Sequence, residues 1–177
     1  MIKLGRLYEL GRWKNQIVKR LAKDPSIVDA VLPNADPDSG LEDQLLGNPK
    51  SHIDGVILPH QFMPGIQEET KAYICVEITM PEVRTRTTSN LYVVVWEFCH
   101  KSILDTYERA GAVGSRADIM AADIDRILNG SDFLEGGIGQ LELKSVTLFD
   151  KFKNYYGYTL LYSVSGFNHG INQNGEM

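Results

Sequence analysis

Long hydrophobic runs are missing from this chain. Nowhere in the 177 residues does a stretch approach the roughly 20 consecutive apolar residues a membrane span needs. The start, Met1-Ile2-Lys3-Leu4-Gly5-Arg6, is charged and passes straight into a helical pattern, unlike an export signal. Cysteine is scarce: Cys75 and Cys99 each sit inside an apolar run without CxxC spacing. They are expected as reduced core thiols of a cytoplasmic product, not as a disulfide or zinc framework. Internal repeats and low-complexity tracts are absent too. With 43% hydrophobic and 23% charged residues, the composition excludes disordered, collagen-like and coiled-coil chains. One globular domain is expected over residues 1–168, followed by a polar tail, 169–177 (HGINQNGEM), that frays.

Charge is present but unevenly placed. Residues 1–23 hold seven basic side chains and one acid, so that segment is +6 while the remainder is -11. Three readings follow: a nucleic-acid arm, a solvated basic helix face on an acidic body, or attraction between unlike patches on neighbouring copies, which favours a ring. An acidic body repels phosphate and argues against tight duplex binding.

Leu7, Leu10, Trp13, Ile17 and Leu21 recur at spacings of three and four, predicting a helix from about Leu4 to Ala22. Asp24-Pro25 stops it. Ile27–Leu32 reads as strand or helix end, and 33–52, with Pro33, Pro37 and Pro49, as a long loop reaching toward a partner. Short strand character runs from Ile53 to Leu58. Ala72–Thr79 alternates, with Ile74, Val76 and Ile78 on one face. Leu91–Phe98 is apolar almost throughout, as in a strand covered on both faces. The polar 80–90 segment between them reads as a projecting hairpin loop.

Asp105–Gly114 is polar. Ser115 suits an N-cap with Asp118 in the first turn, Met120, Ile124, Ile127 and Leu128 form an apolar face, and Asn129-Gly130 ends the helix. Leu141–Phe149 and Gly157–Val164 are then expected as an antiparallel strand pair. The plan is α+β: one mostly antiparallel β-sheet with two helices packed on it and long projecting loops.

Chemistry is harder to find. Asp54 and Glu77 on successive strands are the sharpest enzymatic candidates, since two strand carboxylates can hold a divalent metal for phosphodiester cleavage. The lysine that a restriction-type nuclease wants two residues after the glutamate is here Thr79. Cys99 and His100 adjoin, but neighbouring strand residues point to opposite faces. His52, His60 and His169 lack metal-ligand spacing. Gly136-Gly137-Ile138-Gly139 has neither a phosphate-loop lysine nor a following helix. No nucleophile, triad, metal cage or cofactor site emerges, and no enzymatic activity is expected. Loops on a rigid scaffold are where partner contacts are placed, so Arg84, Arg86, Arg109 and Arg116 are the candidate interface anchors, beside a reading of each as solvated surface arginine.

The second half resembles the tail terminator, or tail-completion, proteins of tailed bacteriophages. The resemblance rests on YVVVWEFCHKSI (Tyr92–Ile103), GAVGSRADIMAADIDRIL (Gly111–Leu128), GIGQLELKSV (Gly137–Val146) and YYGYTLLYSVSGFN (Tyr155–Asn168), and covers about residues 72–168. It implies a structural virion protein, made in the bacterial host cytoplasm and located in the neck at the head–tail junction. Such a subunit forms a hexameric ring that caps the tail tube, stops its growth and joins the head connector or stopper protein. DNA passes through the lumen without specific binding. Alternatives are another connector or stopper component, or a metal-dependent nuclease using Asp54 and Glu77. The 33–52 loop is longer than the family leads one to expect.

Overall fold

The computed structural model describes residues 7–33, 35–36, 40–50, 54–62, 70–81, 91–109, 111–134 and 139–165, with the backbone alone at 7, 8, 106–109, 112 and 165. In chain order these form α1 (Leu7–Ala22), α2 (Pro25–Val31), α3 (Leu41–Leu46), β1 (Ile57–Leu58), β2 (Ala72–Thr79), β3 (Tyr92–His100), a 3-10 turn (Lys101–Ile103), β4 (Thr106–Arg109), β5 (Ala112–Ser115), α4 (Arg116–Leu128), β6 (Gln140–Phe149) and β7 (Tyr155–Ser165). The five-stranded sheet runs β1-β2-β3-β7-β6, and β4 and β5 make a separate hairpin. Within the sheet β1 is parallel to β2, and every other pair is antiparallel. The expected α+β architecture is therefore present.

Among the described residues four helices stand where two were expected. The ambiguous run after Ala22 is α2: Asp24, which ends one helix, caps the next, its Oδ1 accepting from the Ser26 N–H at 2.9 Å, with Pro25 in the first turn. Inside the expected 33–52 loop lies α3, set between Gly40 (φ +70) and Gly47 (φ +79). The backbone of Leu45 accepts from Val56 N–H at 2.9 Å, and a Cβ on Gly55 would stand 2.5 Å from Gly47 N, so two chain segments cross there without room for a side chain. The polar segment before Ser115 is the β4–β5 hairpin, turning at Gly111 (φ +86). The expected 80–90 loop apart from Met80 and Pro81, the glycine-rich segment 135–139 apart from Gly139, and the expected tail 169–177 lie outside the described residues.

The antiparallel registers, Val76 opposite Val95 and Val95 opposite Leu160, sort the side chains into two faces. One carries Ile74, Val76, Ile78, Val93, Val95, Leu160, Tyr162 and Val164, all buried. On it α4 is fixed by hydrogen bonds from the Tyr158 hydroxyl to Asp118 Oδ1 (2.6 Å) and from the Tyr162 hydroxyl to Asp125 Oδ1 (3.4 Å). Beside α4, α1 packs on β2 through Trp13, Ile17, Val18 and Leu21. Each is worth about 1.5–3 kcal/mol when withdrawn from water. The other face holds an aromatic cluster at one end, in which Phe98 and Phe149 stack at 4.6 Å and Tyr155 meets Phe98 edge-on at 5.5 Å.

Ser115 and Asp118 complete a reciprocal capping box at the start of α4: Asp118 N–H donates to Ser115 Oγ at 3.2 Å and Ser115 N–H to Asp118 Oδ2 at 2.7 Å. Gly130 takes the left-handed turn (φ +74) that ends it.

Candidate functional site

Among the described residues, those singled out in the sequence are not gathered into one site. Arg84 and Arg86 lie outside the described residues. Arg109 closes β4 opposite Ala112, and its side chain is likewise outside the description. Arg116 opens α4 and turns inward: its Nε donates to Ile103 O and its Nη1 to Ala30 O, both at 3.0 Å. It ties the end of α2 and the 3-10 turn to α4.

Asp54 and Glu77 are also apart. With Ile57 opposite Ile74 in the parallel β1–β2 pair, Asp54 falls level with Lys71, six residues from Glu77. At 3.3 Å per residue that is roughly 20 Å, far beyond a shared ion. Glu77 accepts from Lys14 Nζ of α1 at 2.8 Å. Asp54 instead borders an open groove of about 620 Å³ between α3 and β1, with Asn48, His60 and Phe62. Among the described residues no three His, Cys, Asp or Glu side chains could hold a metal ion, and no helix is long and apolar enough to cross a membrane. Cys75 and Cys99 are both buried and free, on opposite faces of the sheet. Burial pushes their thiols up to about 11 and about 12 respectively, so neither supplies a thiolate nucleophile at neutral pH.

Two exposed surfaces and one buried group stand out among the described residues. The first surface is the outer side of α1 and the residue just after it, where Arg12, Lys19, Arg20 and Lys23 are exposed; Arg20 also covers the Phe133 ring at 5.9 Å. The second is the β6 edge. Among the described residues β6 has β7 on one side and no strand on the other. Lys144 to Leu148 are all exposed, and Val146 (49%) and Leu148 (54%) are, with Val113, the large apolar side chains so exposed among the described residues. Their alternation places Val146 and Leu148 on the helix side of the sheet, beyond the cover that α4 gives to Leu160 next door.

The buried group is Glu97. It sits on β3 beneath α4, between Ile74 of β2 and Tyr158 of β7. It is completely inaccessible, and among the described residues neither carboxyl oxygen meets a donor in good hydrogen-bond geometry. Burial drives its pKa well above the ordinary carboxylate value, nearby Asp118 adds to the rise, and the Tyr158 backbone opposes it only in part. Burial therefore favours the neutral acid form of Glu97 in the folded protein. A sequence signal for it existed: it is the one charge in the apolar run of β3, YVVVWEFCH.

The YomW family model matches residues 17–164 of the chain, from the middle of α1 nearly to the end of β7. No curated protein and no solved structure matches it.

Proposed function

The chain belongs to the phage-associated YomW family, and on that premise we propose that it is a non-enzymatic structural subunit of a phage neck. In this reading it is a tail terminator whose ring, hexameric by the resemblance of its second half, caps the tail tube and receives the head connector. The observation that carries the reading is the segregation of charge. Among the described residues exposed cations cluster on α1 (Arg12, Lys19, Arg20, with Glu9 as its exposed acid) and at Lys23 just beyond it, while exposed acids such as Asp54, Asp105, Asp132 and Asp150 lie elsewhere, interspersed with cations such as Lys101 and Lys151. Unlike patches on one subunit attract when copies meet head to tail, and a head-to-tail contact of suitable rotation closes into a ring. The net acidic body leaves DNA ungripped as it passes through the lumen.

The test is the position of the protein in the particle. Gold-labelled antibody should mark the head-proximal end of the tail in electron micrographs. Phage lacking the gene should make overlong tails that fail to join heads, whereas a stopper defect leaves tail length normal. Purified particles without the protein, or magnesium-dependent DNA cleavage abolished by Glu77→Ala, would overturn the proposal.

A further inference from the structure

We propose that β6 is a self-complementary edge, through which two copies of this chain pair antiparallel about a two-fold axis at Thr147. The inference is independent of the neck reading. An antiparallel strand pair centred on residue 147 sets Val146 against Leu148 of the other copy, and Leu148 against Val146. The same register sets Lys144 against Asp150 and Asp150 against Lys144. Each exposed apolar side chain meets an apolar one and each terminal charge meets its opposite, twice over by symmetry, which is the property an isologous interface requires. All four side chains are exposed. Lys144 now reaches Glu142 of its own strand at 2.7 Å, a surface ion pair that the Asp150 carboxylate of a second copy would share.

Registers shifted by two residues lose the match. Centring on Val146 sets Leu148 against Lys144 and Asp150 against Glu142, and centring on Leu148 sets Val146 against Asp150. The irregularity in β6 between Leu143 and Ser145 bends the strand ahead of the stripe, so the backbone pairing runs from Ser145 to Phe149 and the two Lys144–Asp150 pairs flank it, one at each end. An edge strand with unpaired backbone groups and exposed valine and leucine is an association surface unless something covers it. Five paired residues per copy make a small contact, at the weak end of specific interfaces.

Cross-linking reads the axis directly. Residues facing each other across an antiparallel pair have Cα atoms about 4.5–5.5 Å apart, within the disulfide range. Thr147→Cys should therefore oxidise to a covalent dimer at least tenfold faster than Ser145→Cys, whose counterpart is Phe149; the native thiols are buried. Independently, sedimentation equilibrium at up to about 1 mM, the range a weak interface demands, should show the 19.8 kDa chain dimerising. Lys144→Asp and Asp150→Lys should each weaken the dimer about tenfold or more, and the two together should restore it, because opposite charges are then exchanged and not lost. A monomer throughout that range, equal cross-linking at 145 and 147, or a double reversal no better than the singles would overturn the proposal. Any of these results would leave the particle-labelling test of the neck reading unaffected.

Discussion

Glu97→Gln should remove a pH dependence that the wild-type fold is built to have. In the unfolded chain the carboxyl titrates near its ordinary value of 4.5. In the folded protein burial holds it protonated well above that value. Below pH 4.5 both states carry the proton and the group is neutral in its effect. As pH rises, only the unfolded state releases the proton, so stability falls until the folded pKa is passed. The limiting slope is about 1.4 kcal/mol per pH unit. For a folded carboxyl that keeps its proton from pH 5 to pH 6, the loss over that unit is about 1 kcal/mol. For a chain of this size that is a fall of about 2–4 °C in Tm. Glutamine keeps the shape and cannot ionise. The assay is urea unfolding of wild type and variant side by side at half-unit steps from pH 4.5 to 7, read as the difference between the two, which cancels every group they share. The variant should gain on the wild type as pH rises above 4.5, for as long as the folded carboxyl keeps its proton. A difference that stays flat would mean that the Glu97 carboxylate is ionised inside the fold, with a partner that compensates it, and the reasoning from burial would fail.

Gly157→Ala should be among the most damaging small substitutions. An added Cβ would lie 2.0 Å from the Glu97 carbonyl oxygen and 2.6 Å from Phe98 Cα, both backbone atoms, so β3 and β7 would have to separate beneath the Phe98–Phe149 stack. A loss of about 3 kcal/mol, the upper end for overpacking, is expected in the denaturation midpoint. Arg116→Lys should lose about 1–2 kcal/mol in Tm-based stability of the isolated chain, because an ammonium cannot span the Ala30 and Ile103 carbonyls as the guanidinium does. An unchanged Tm with impaired assembly would instead mark Arg116 as an inter-subunit anchor.

The parts of the fold legible in the sequence were those whose pattern repeats over two or more turns or pleats. The α1 stripe, the capped α4, alternating β2 and β7, and the apolar β3 all show such periods, and each lies within a residue or two of its expected bounds where described. What escaped was short or set by contact. The seven residues of α2 and six of α3 are too few to display a helical period, and the Asp24-Pro25-Ser26 start signal of α2 doubles as the stop of α1. The parallel pairing of β1 follows from the α3–Gly55 crossing, which no local pattern encodes. Among the site residues, Arg116 was visible as a charge at a helix start, but its inward acceptors belong to segments 13 and 86 residues away in sequence. Glu97 was visible as a charge in an apolar strand, yet its burial depends on where α4 lies.

The two edges of the sheet are built differently, and the difference decides what kind of assembly each allows. At one edge β1 pairs with only Ile74 and Cys75 of β2, and just beyond that short strand Lys14 meets Glu77 at 2.8 Å. An ion pair at an open strand edge discourages a further strand. At the other edge β6 offers ten residues with an exposed apolar stripe. Continuous edge-to-edge growth needs both edges to accept a strand, one from each neighbour, and would build an open fibre. With one edge guarded that route is blocked, and pairing through β6 can only be β6 with β6, which is complete at two copies. Ring closure must then use surfaces off the sheet edges, and the cationic side of α1 is such a surface. High salt separates the two contacts: it screens the α1 attraction while leaving the backbone hydrogen bonds and apolar stripe of β6 largely intact. A β6-linked dimer should therefore survive at salt concentrations that dissolve larger rings, and a single salt-dependent step from ring to monomer would refute this division of labour.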